Sequence, residues 1–129
     1  MFTILLLGFL TVLNAKEFTV EVQGLFVCHT QHKYDPLHVE LMEHDVVGDD
    51  LLAWSNVRPP YYWDLQGKED EMFNIRPFLV IKHTCNGIKE RVVVEFGRIR
   101  RNVFIDFGIH DLENPDFPKD MREMIKEQI

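Results

Sequence analysis

The sequence has little cysteine, a deficit of positive charge and no long apolar segment. Its 129 residues include two cysteines, and 14 basic residues are outnumbered by 21 acidic residues, which gives a net charge of −7. An acidic chain has no general attraction to nucleic acids or to anionic membranes. The longest uncharged apolar run, residues 2–13, is shorter than the roughly 20 residues of a membrane-spanning helix. The composition therefore argues against nucleic-acid binding and against a transmembrane segment in the mature protein.

The chain also lacks the motifs of common catalytic sites. No Ser-His-Asp arrangement, phosphate-binding glycine loop or carboxylate pair stands out. His29, His32 and His44 offer imidazoles, but no third ligand at a fixed spacing accompanies the first two, as a structural zinc site would require. The acidic turn of residues 43–50 lacks the spacing of an EF-hand loop, so a solvated turn is favoured over a calcium site. We therefore predict no catalytic residue, no cofactor and no metal site.

Residues 1–15 have the layout of a secretory signal peptide. Residues 2–13 carry no charge, and the small residue Ala15 precedes the charged pair Lys16-Glu17. The alternative of an uncleaved anchor is disfavoured because the apolar run is short. We expect the mature protein to begin at Lys16 and to be secreted into the extracellular space.

Cys28 and Cys85 form an even pair in a chain that is expected to enter an oxidising compartment. A disulfide between them is therefore the expected state, and two free buried thiols are the alternative. Closing the intervening loop would stabilise the fold by about 4 kcal/mol.

Short strand-like segments separated by turn residues recur between residues 16 and 117. Apolar and polar residues alternate over residues 18–23 and again over residues 37–43, which is the pattern of half-buried strands. Residues 78–81 form an apolar run typical of a central strand, and Asn86-Gly87 predicts a hairpin to an antiparallel neighbour. The pattern predicts an all-β sandwich. Residues 118–129 are a tail whose apolar residues have helical spacing, which predicts a short C-terminal helix.

An aromatic group lies around the double proline at positions 59 and 60. Its members are Trp54, Tyr61, Tyr62 and Trp63. Because side chains alternate along a strand, Tyr62 should face opposite to at least one of its two neighbours. An exposed aromatic face would be an apolar recognition surface, so these four are the candidate ligand-binding residues.

Residues 77–86 carry the most specific family likeness. They read Pro-Phe-Leu-Val-Ile-Lys-His-Thr-Cys-Asn, which resembles the Pro-aromatic-Leu-x-Ile-x-His-x-Cys-Asn pattern of the transthyretin-like family of secreted nematode proteins. Other matching segments are residues 22–28, 39–41, 49–53, 65–67 and 106–108. The resemblance covers nearly all of residues 16–117. It implies an extracellular transthyretin-type (prealbumin-like) sandwich of two antiparallel sheets with seven or eight strands, and no established enzymatic activity. Arg58-Pro59-Pro60 departs from the Asp/Gly turn that is usual in the family.

These observations together predict one sandwich domain over residues 16–117 with a non-enzymatic binding function. The expected partner is an extracellular protein, a lipid or a small apolar ligand, and the resemblance permits assembly into a homo-oligomer through edge strands. The alternative is an enzyme similar to hydroxyisourate hydrolase, a distant relative of the family with the same general sandwich. That enzyme needs paired histidines, an arginine and a terminal Tyr-Arg-Gly-Ser motif, and no Tyr-Arg-Gly-Ser occurs in this chain.

Overall fold

The computed structural model describes residues 16–129, so the predicted signal peptide, residues 1–15, lies outside the described residues. Within the described range the chain forms seven strands followed by one helix. They are β1 (Lys16–Val27), β2 (Leu37–Asp45), β3 (Gly48–Val57), β4 (Tyr61–Glu71), β5 (Pro77–His83), β6 (Glu90–Glu95), β7 (Val103–Asp111) and α1 (Phe117–Gln128). The prediction of an all-β sandwich with a short C-terminal helix is confirmed.

The strands form two sheets, one of four strands in the order β3-β2-β5-β6 and one of three strands in the order β4-β1-β7. All pairs of the four-stranded sheet are antiparallel. In the other sheet β1 is antiparallel to β4 but parallel to β7. The expectation of two antiparallel sheets is wrong for the pair of β1 and β7. The chain crosses from the four-stranded sheet before it enters β7, so no hairpin fixes the direction of β7 relative to β1.

The core lies between the two sheets and is rich in aromatic residues. Trp63 of β4 stacks at ring-centroid distances of 5.6 Å on Phe26 and 5.9 Å on Phe107. Helix α1 packs against β6 and β7 and buries Phe117 and two residues at helical spacing, Met121 and Ile125. The C-terminal tail is therefore part of the core rather than an appendage.

The predicted disulfide and the predicted hairpin are also confirmed. Cys28, just after β1, is bonded to Cys85, just after β5, with an S–S distance of 2.05 Å. The disulfide ties the two sheets together at one end of the sandwich. The turn that joins β5 to β6 contains Gly87 at a φ of 90°, a conformation that favours glycine. The peptide bond between Pro59 and Pro60, which separates β3 from β4, is cis.

No helix among residues 16–129 has both the length and the apolar character needed to cross a membrane.

Candidate functional site: a cationic cleft at one end of the four-stranded sheet

The outer face of the four-stranded sheet carries side chains in rows that cross all four strands. The strand register defines the first row as Asn56, His38, Lys82 and Arg91 and the next row as Trp54, Glu40, Val80 and Val93. On β2 these residues alternate with Leu37, Val39 and Leu41, which are buried between the sheets. The first row is therefore polar and contains two cations, Lys82 and Arg91, and the second begins with an exposed tryptophan.

An open cleft of about 520 Å³ borders the first row, where β2 and β6 begin and β3 and β5 end. Its lining residues are Pro36, Leu37, His38, Asn56, Lys82, His83, Thr84, Lys89, Glu90 and Arg91. Small-molecule sites in proteins usually measure about 300–1,000 Å³. The cleft is thus large enough for a small organic ligand.

The charge of the cleft is opposite in sign to that of the whole chain. Lys82, Lys89 and Arg91 line it together with one carboxylate, that of Glu90. The Nζ atom of Lys82 lies 3.4 Å from Oε1 of Glu40. In the part of the chain that the structure describes, neither Lys89 nor Arg91 has a carboxylate oxygen within 4.0 Å. Two cations of the cleft are therefore available to an anionic group.

His83 lies in the wall of the cleft and is only 4% exposed. The backbone N–H of Cys85 donates to its Nδ1 atom over 3.1 Å, so the proton of the neutral ring is on Nε2. Among the described residues Nε2 has no hydrogen-bond partner, although it lies 3.6 Å from Oε2 of Glu90. Burial lowers the pKa of His83, and the charge of Glu90 opposes this only partly. The neutral ring therefore carries its proton on Nε2, an atom that is itself buried beside Glu90.

Trp54 provides an apolar surface next to the cleft. It is 56% exposed and stacks on His38 with 5.8 Å between the ring centroids. The His38 ring is held from both sides, since Nδ1 lies 2.6 Å from Oδ1 of Asn56 and Nε2 lies 3.3 Å from Oε2 of Glu40. The result is a fixed aromatic surface adjoining the first row.

The four aromatic residues that the sequence singles out do not come together on one surface. Tyr61 and Trp63 are buried between the sheets, and the Tyr61 hydroxyl donates to the backbone oxygen of Lys33 over 2.9 Å. Tyr62 is 53% exposed on the outer face of the three-stranded sheet, whereas Trp54 lies on the outer face of the four-stranded sheet. The predicted alternation about Tyr62 is confirmed, and Trp54 is the member of the group that adjoins the cleft.

Sequence reasoning missed the cations of the cleft. They lie on two strands and become neighbours only through strand register. One signal was present, because Lys82 and Arg91 are symmetric about the Asn86-Gly87 turn and pair directly across the hairpin. A hairpin with a known centre predicts which residues face each other across its two strands.

The histidines that could have formed a metal site are separated, and each has its own carboxylate neighbours. The shortest distances are 3.0 Å from His29 to Glu113, 3.1 Å from His32 to Asp35, and 2.9 and 2.5 Å from His44 to Asp49 and Glu95. Hydrogen bonds to Glu95 and then to Asp49 raise the pKa of His44. The three rings therefore act in three local ion pairs or hydrogen bonds.

The fold and the site define a small β-sandwich with one disulfide between its sheets and an open cleft at the end where that disulfide lies. The sequence model of the Transthyretin-like family matches residues 23–96, which is more than half of the chain. The chain belongs to the transthyretin-like family. Transthyretin-like protein 16 of Caenorhabditis elegans is 33% identical over 81 residues, which cover 62% of this chain and 61% of that protein. The chain thus matches about three-fifths of the length of this curated relative.

Among solved structures, a 9R-lipoxygenase from Cyanothece aligns with 83% of this chain and 20% of its own. The TM-score is 0.33 and the sequence identity 10%. A similarity of this size carries no argument about fold or function.

Proposed function

We propose that this chain is a secreted, non-enzymatic binding protein that holds a small amphipathic anion in the cleft. The anionic group lies at Lys89 and Arg91, and the apolar part lies against Trp54. The observation that carries the proposal is the presence of two cations without carboxylate neighbours, within the described residues, in the lining of a cleft of about 520 Å³. The exposed Trp54 lies on β3, at the opposite edge of the sheet from Arg91 on β6, and contacts the cleft residue His38.

Each part of such a ligand would find a complementary group. A guanidinium binds a carboxylate through two parallel hydrogen bonds, and a hydrogen bond to a charged group contributes about 1.5–3 kcal/mol. Apolar area covered on Trp54 contributes about 25 cal/mol per Å². A ligand that has both a charged head and an apolar body should therefore bind more tightly than one with either part alone.

The groups around the cleft support binding rather than catalysis. The Thr84 hydroxyl donates to Oδ2 of Asp35 over 2.7 Å, and Asp35 does not line the cleft. Nδ1 of His83 already accepts a hydrogen bond, and the neutral Nε2 is a donor, which does not suit proton abstraction. Cys28 and Cys85 are consumed by the disulfide. No specific observation favours the hydroxyisourate-hydrolase alternative.

Family membership and the Cys28–Cys85 disulfide support secretion, because structural disulfides persist in oxidising compartments. The test is expression of the full chain in cultured animal cells, with and without residues 2–13. The full chain should accumulate in the medium and the shortened chain should remain inside the cells. Equal retention of both would contradict secretion through the predicted signal peptide.

The binding proposal is tested by calorimetric titration of the protein, purified from the medium, with octanoate and with 1-octanol. Octanoate should bind at least tenfold more tightly, because the alcohol lacks the charge that Lys89 and Arg91 complement. Amide chemical shifts should change at residues 82–91. Equal affinity for the two ligands, or no binding of octanoate, would contradict the proposal.

Trp54→Ala and Tyr62→Ala form a matched pair of variants, because the two side chains are almost equally exposed on opposite faces of the sandwich. Trp54→Ala should weaken octanoate binding severalfold, while Tyr62→Ala should bind as the wild-type protein does. An equal effect of the two substitutions would mean that the Trp54 side chain does not contribute to the binding site.

A further inference from the structure

The other end of the four-stranded sheet gathers acidic side chains from three strands and both sheets. Glu43 of β2 and Asp50 of β3 are direct cross-strand partners. Glu69 reaches them from β4, which belongs to the three-stranded sheet. One carboxylate oxygen from each of these three residues lies within 4.8 Å of the other two. We call these three residues the acidic triad.

Glu43 is the unusual member of the acidic triad, because its side chain is almost completely buried. The residue is 2% exposed, and its Oε1 atom has no hydrogen-bond partner among the described residues. The other oxygen, Oε2, accepts one long hydrogen bond of 3.4 Å from the backbone N–H of Arg76. Burial of an unsatisfied carboxylate oxygen is costly unless a cation or a donor compensates it. The buried oxygen of Glu43 is therefore an acceptor that a cation could satisfy.

Further carboxylates around Glu43 increase the excess of negative charge at this end of the sheet. Asp45 and Glu71 add two further carboxylates that act on the pKa of Glu43, and burial followed by these neighbours raises that pKa to about 7. Burial and neighbouring carboxylates also raise the pKa values of Glu69 and Glu71. Within residues 16–129 no side-chain nitrogen of Lys, Arg or His lies within 4.0 Å of these five carboxylates.

We propose that the acidic triad of Glu43, Asp50 and Glu69 binds one calcium ion. Calcium takes six to eight oxygen ligands at about 2.3–2.6 Å, so ligands on opposite sides of the ion are about 5 Å apart. Because the oxygens of the acidic triad lie within 4.8 Å of one another, all three can contact one such ion. Because all three side chains supply oxygen only, the set does not suit zinc, which prefers nitrogen and sulfur.

Magnesium fits the acidic triad less well than calcium. It demands near-octahedral geometry at about 2.0–2.1 Å and gives up its water reluctantly. The acidic triad comes from three strands in two sheets, so no single continuous loop holds its oxygens in such a strict geometry. The bound calcium ion would join the two sheets at the end opposite to the disulfide.

The sequence favoured a solvated turn here because the aspartates of residues 45–50 were the visible feature. Only the folded chain adds Glu69, which is far from the turn in sequence, and shows that Glu43 is buried. The site therefore has no continuous loop motif, and its ligands are set by packing between the sheets.

The test is calorimetric titration with CaCl₂ of the protein purified from the medium and stripped with EDTA. One calcium ion per chain should bind, with a dissociation constant at or below about 1 mM, as in extracellular modules. At ten times that constant, the folding equilibrium should shift about elevenfold toward the folded state, and the melting temperature should rise by a few degrees. MgCl₂ at equal concentration should give a much smaller rise.

Variants locate the ion. Asp50→Asn and Glu69→Gln should each weaken calcium binding at least tenfold. Asp70→Asn is the matched control, because Asp70 follows Glu69 on β4 but is exposed and stands on the opposite face of the strand. It should keep the wild-type affinity. Melting curves in EDTA show that each variant is folded before it is titrated.

Three results would overturn the proposal. The first is the absence of both heat and a melting shift with calcium up to about 10 mM, well above the range of extracellular sites. The second is an equal loss of affinity in Asp70→Asn and Glu69→Gln, which would indicate a diffuse attraction to negative charge. The third is an equal melting shift with magnesium, which would indicate no defined calcium site. None of these measurements depends on the ligand of the cleft.

Discussion

The two ends of the four-stranded sheet carry unpaired charge of opposite sign. Where β2 begins, Lys89 and Arg91 line the cleft without carboxylate neighbours among the described residues. Where β2 ends, the acidic triad lies without cationic neighbours in the same part of the chain. One sheet therefore holds apart charges that would neutralise each other if they were adjacent. The sign at each end predicts the sign of its ligand.

The two ends also differ in how they are held together. The cleft end has the Cys28–Cys85 disulfide, and the Thr30 hydroxyl donates to the Cys85 carbonyl over 2.6 Å. The acidic end has no covalent link among the described residues, so the proposed ion would be its link between sheets. We expect loss of the disulfide to destabilise the cleft end and a chelator to destabilise the acidic end.

The largest expected effect comes from replacing both Cys28 and Cys85 by alanine. The unfolding free energy should fall by about 4 kcal/mol, because the denatured chain regains the freedom of a loop that spans 57 positions. Urea denaturation measures the loss. In hydrogen exchange, amides of residues 83–90 should become less protected than those of residues 43–50. Uniform loss of protection, or unchanged stability, would contradict the division between the two ends.

The next effect in size is reversal of charge in the cleft. Lys89→Glu combined with Arg91→Glu should weaken octanoate binding at least thirtyfold, about 2 kcal/mol, because an anion then meets two carboxylates. Calcium binding at the acidic triad should stay within about twofold, since charges far apart at the surface are screened by salt. Calorimetry measures both affinities.

A matched control for this reversal exists on helix α1. Lys119 and Arg122 are exposed there, and Lys119→Glu combined with Arg122→Glu makes the same change in net charge outside the cleft. If this control weakened octanoate binding as much as the cleft variant does, the cleft would have no special role.

A smaller effect is expected from neutralising the buried carboxylate of the acidic triad. In EDTA, Glu43→Gln should stabilise the protein by about 1 kcal/mol, because it removes one buried charge from the cluster while the new amide can donate to its neighbours. With calcium present, the variant should gain no further stability, whereas the wild-type protein should. Urea denaturation in EDTA and in CaCl₂ measures both. Destabilisation in EDTA would contradict an excess of negative charge at this end.

Local patterns predicted those features of the fold that depend on neighbouring residues. Alternation over residues 18–23 identified β1, and Asn86-Gly87 identified the hairpin of β5 and β6. The parallel pairing of β1 with β7 was not predictable in this way, because it depends on how the chain crosses between sheets. Local periodicity carries no information on such a crossing.

The cleft and the acidic triad also differ in how far the sequence predicts them. The pairing of Lys82 with Arg91 follows from the centre of the hairpin and could be predicted, although the cleft that the pair borders could not. Glu43 continues the alternation of Leu37, Val39 and Leu41, which was a signal that it faces the core. Its proximity to Glu69 arises from packing between sheets, and no sequence spacing encodes it.

The smallest expected effect concerns the pH response of the cleft end. Burial lowers the pKa of His83 below its ordinary value of 6.5, so the unfolded chain binds a proton more readily than the folded chain does. The contribution of His83 to the unfolding free energy is therefore lost progressively as the pH falls below about 6.5. His83→Asn keeps an acceptor for the Cys85 N–H but cannot be protonated. Between pH 7.5 and 5.5, the wild-type protein should lose more stability than this variant in urea denaturation. Equal losses would mean that the folded protein accepts the second proton of the His83 ring, on Nδ1, as readily as the unfolded chain does.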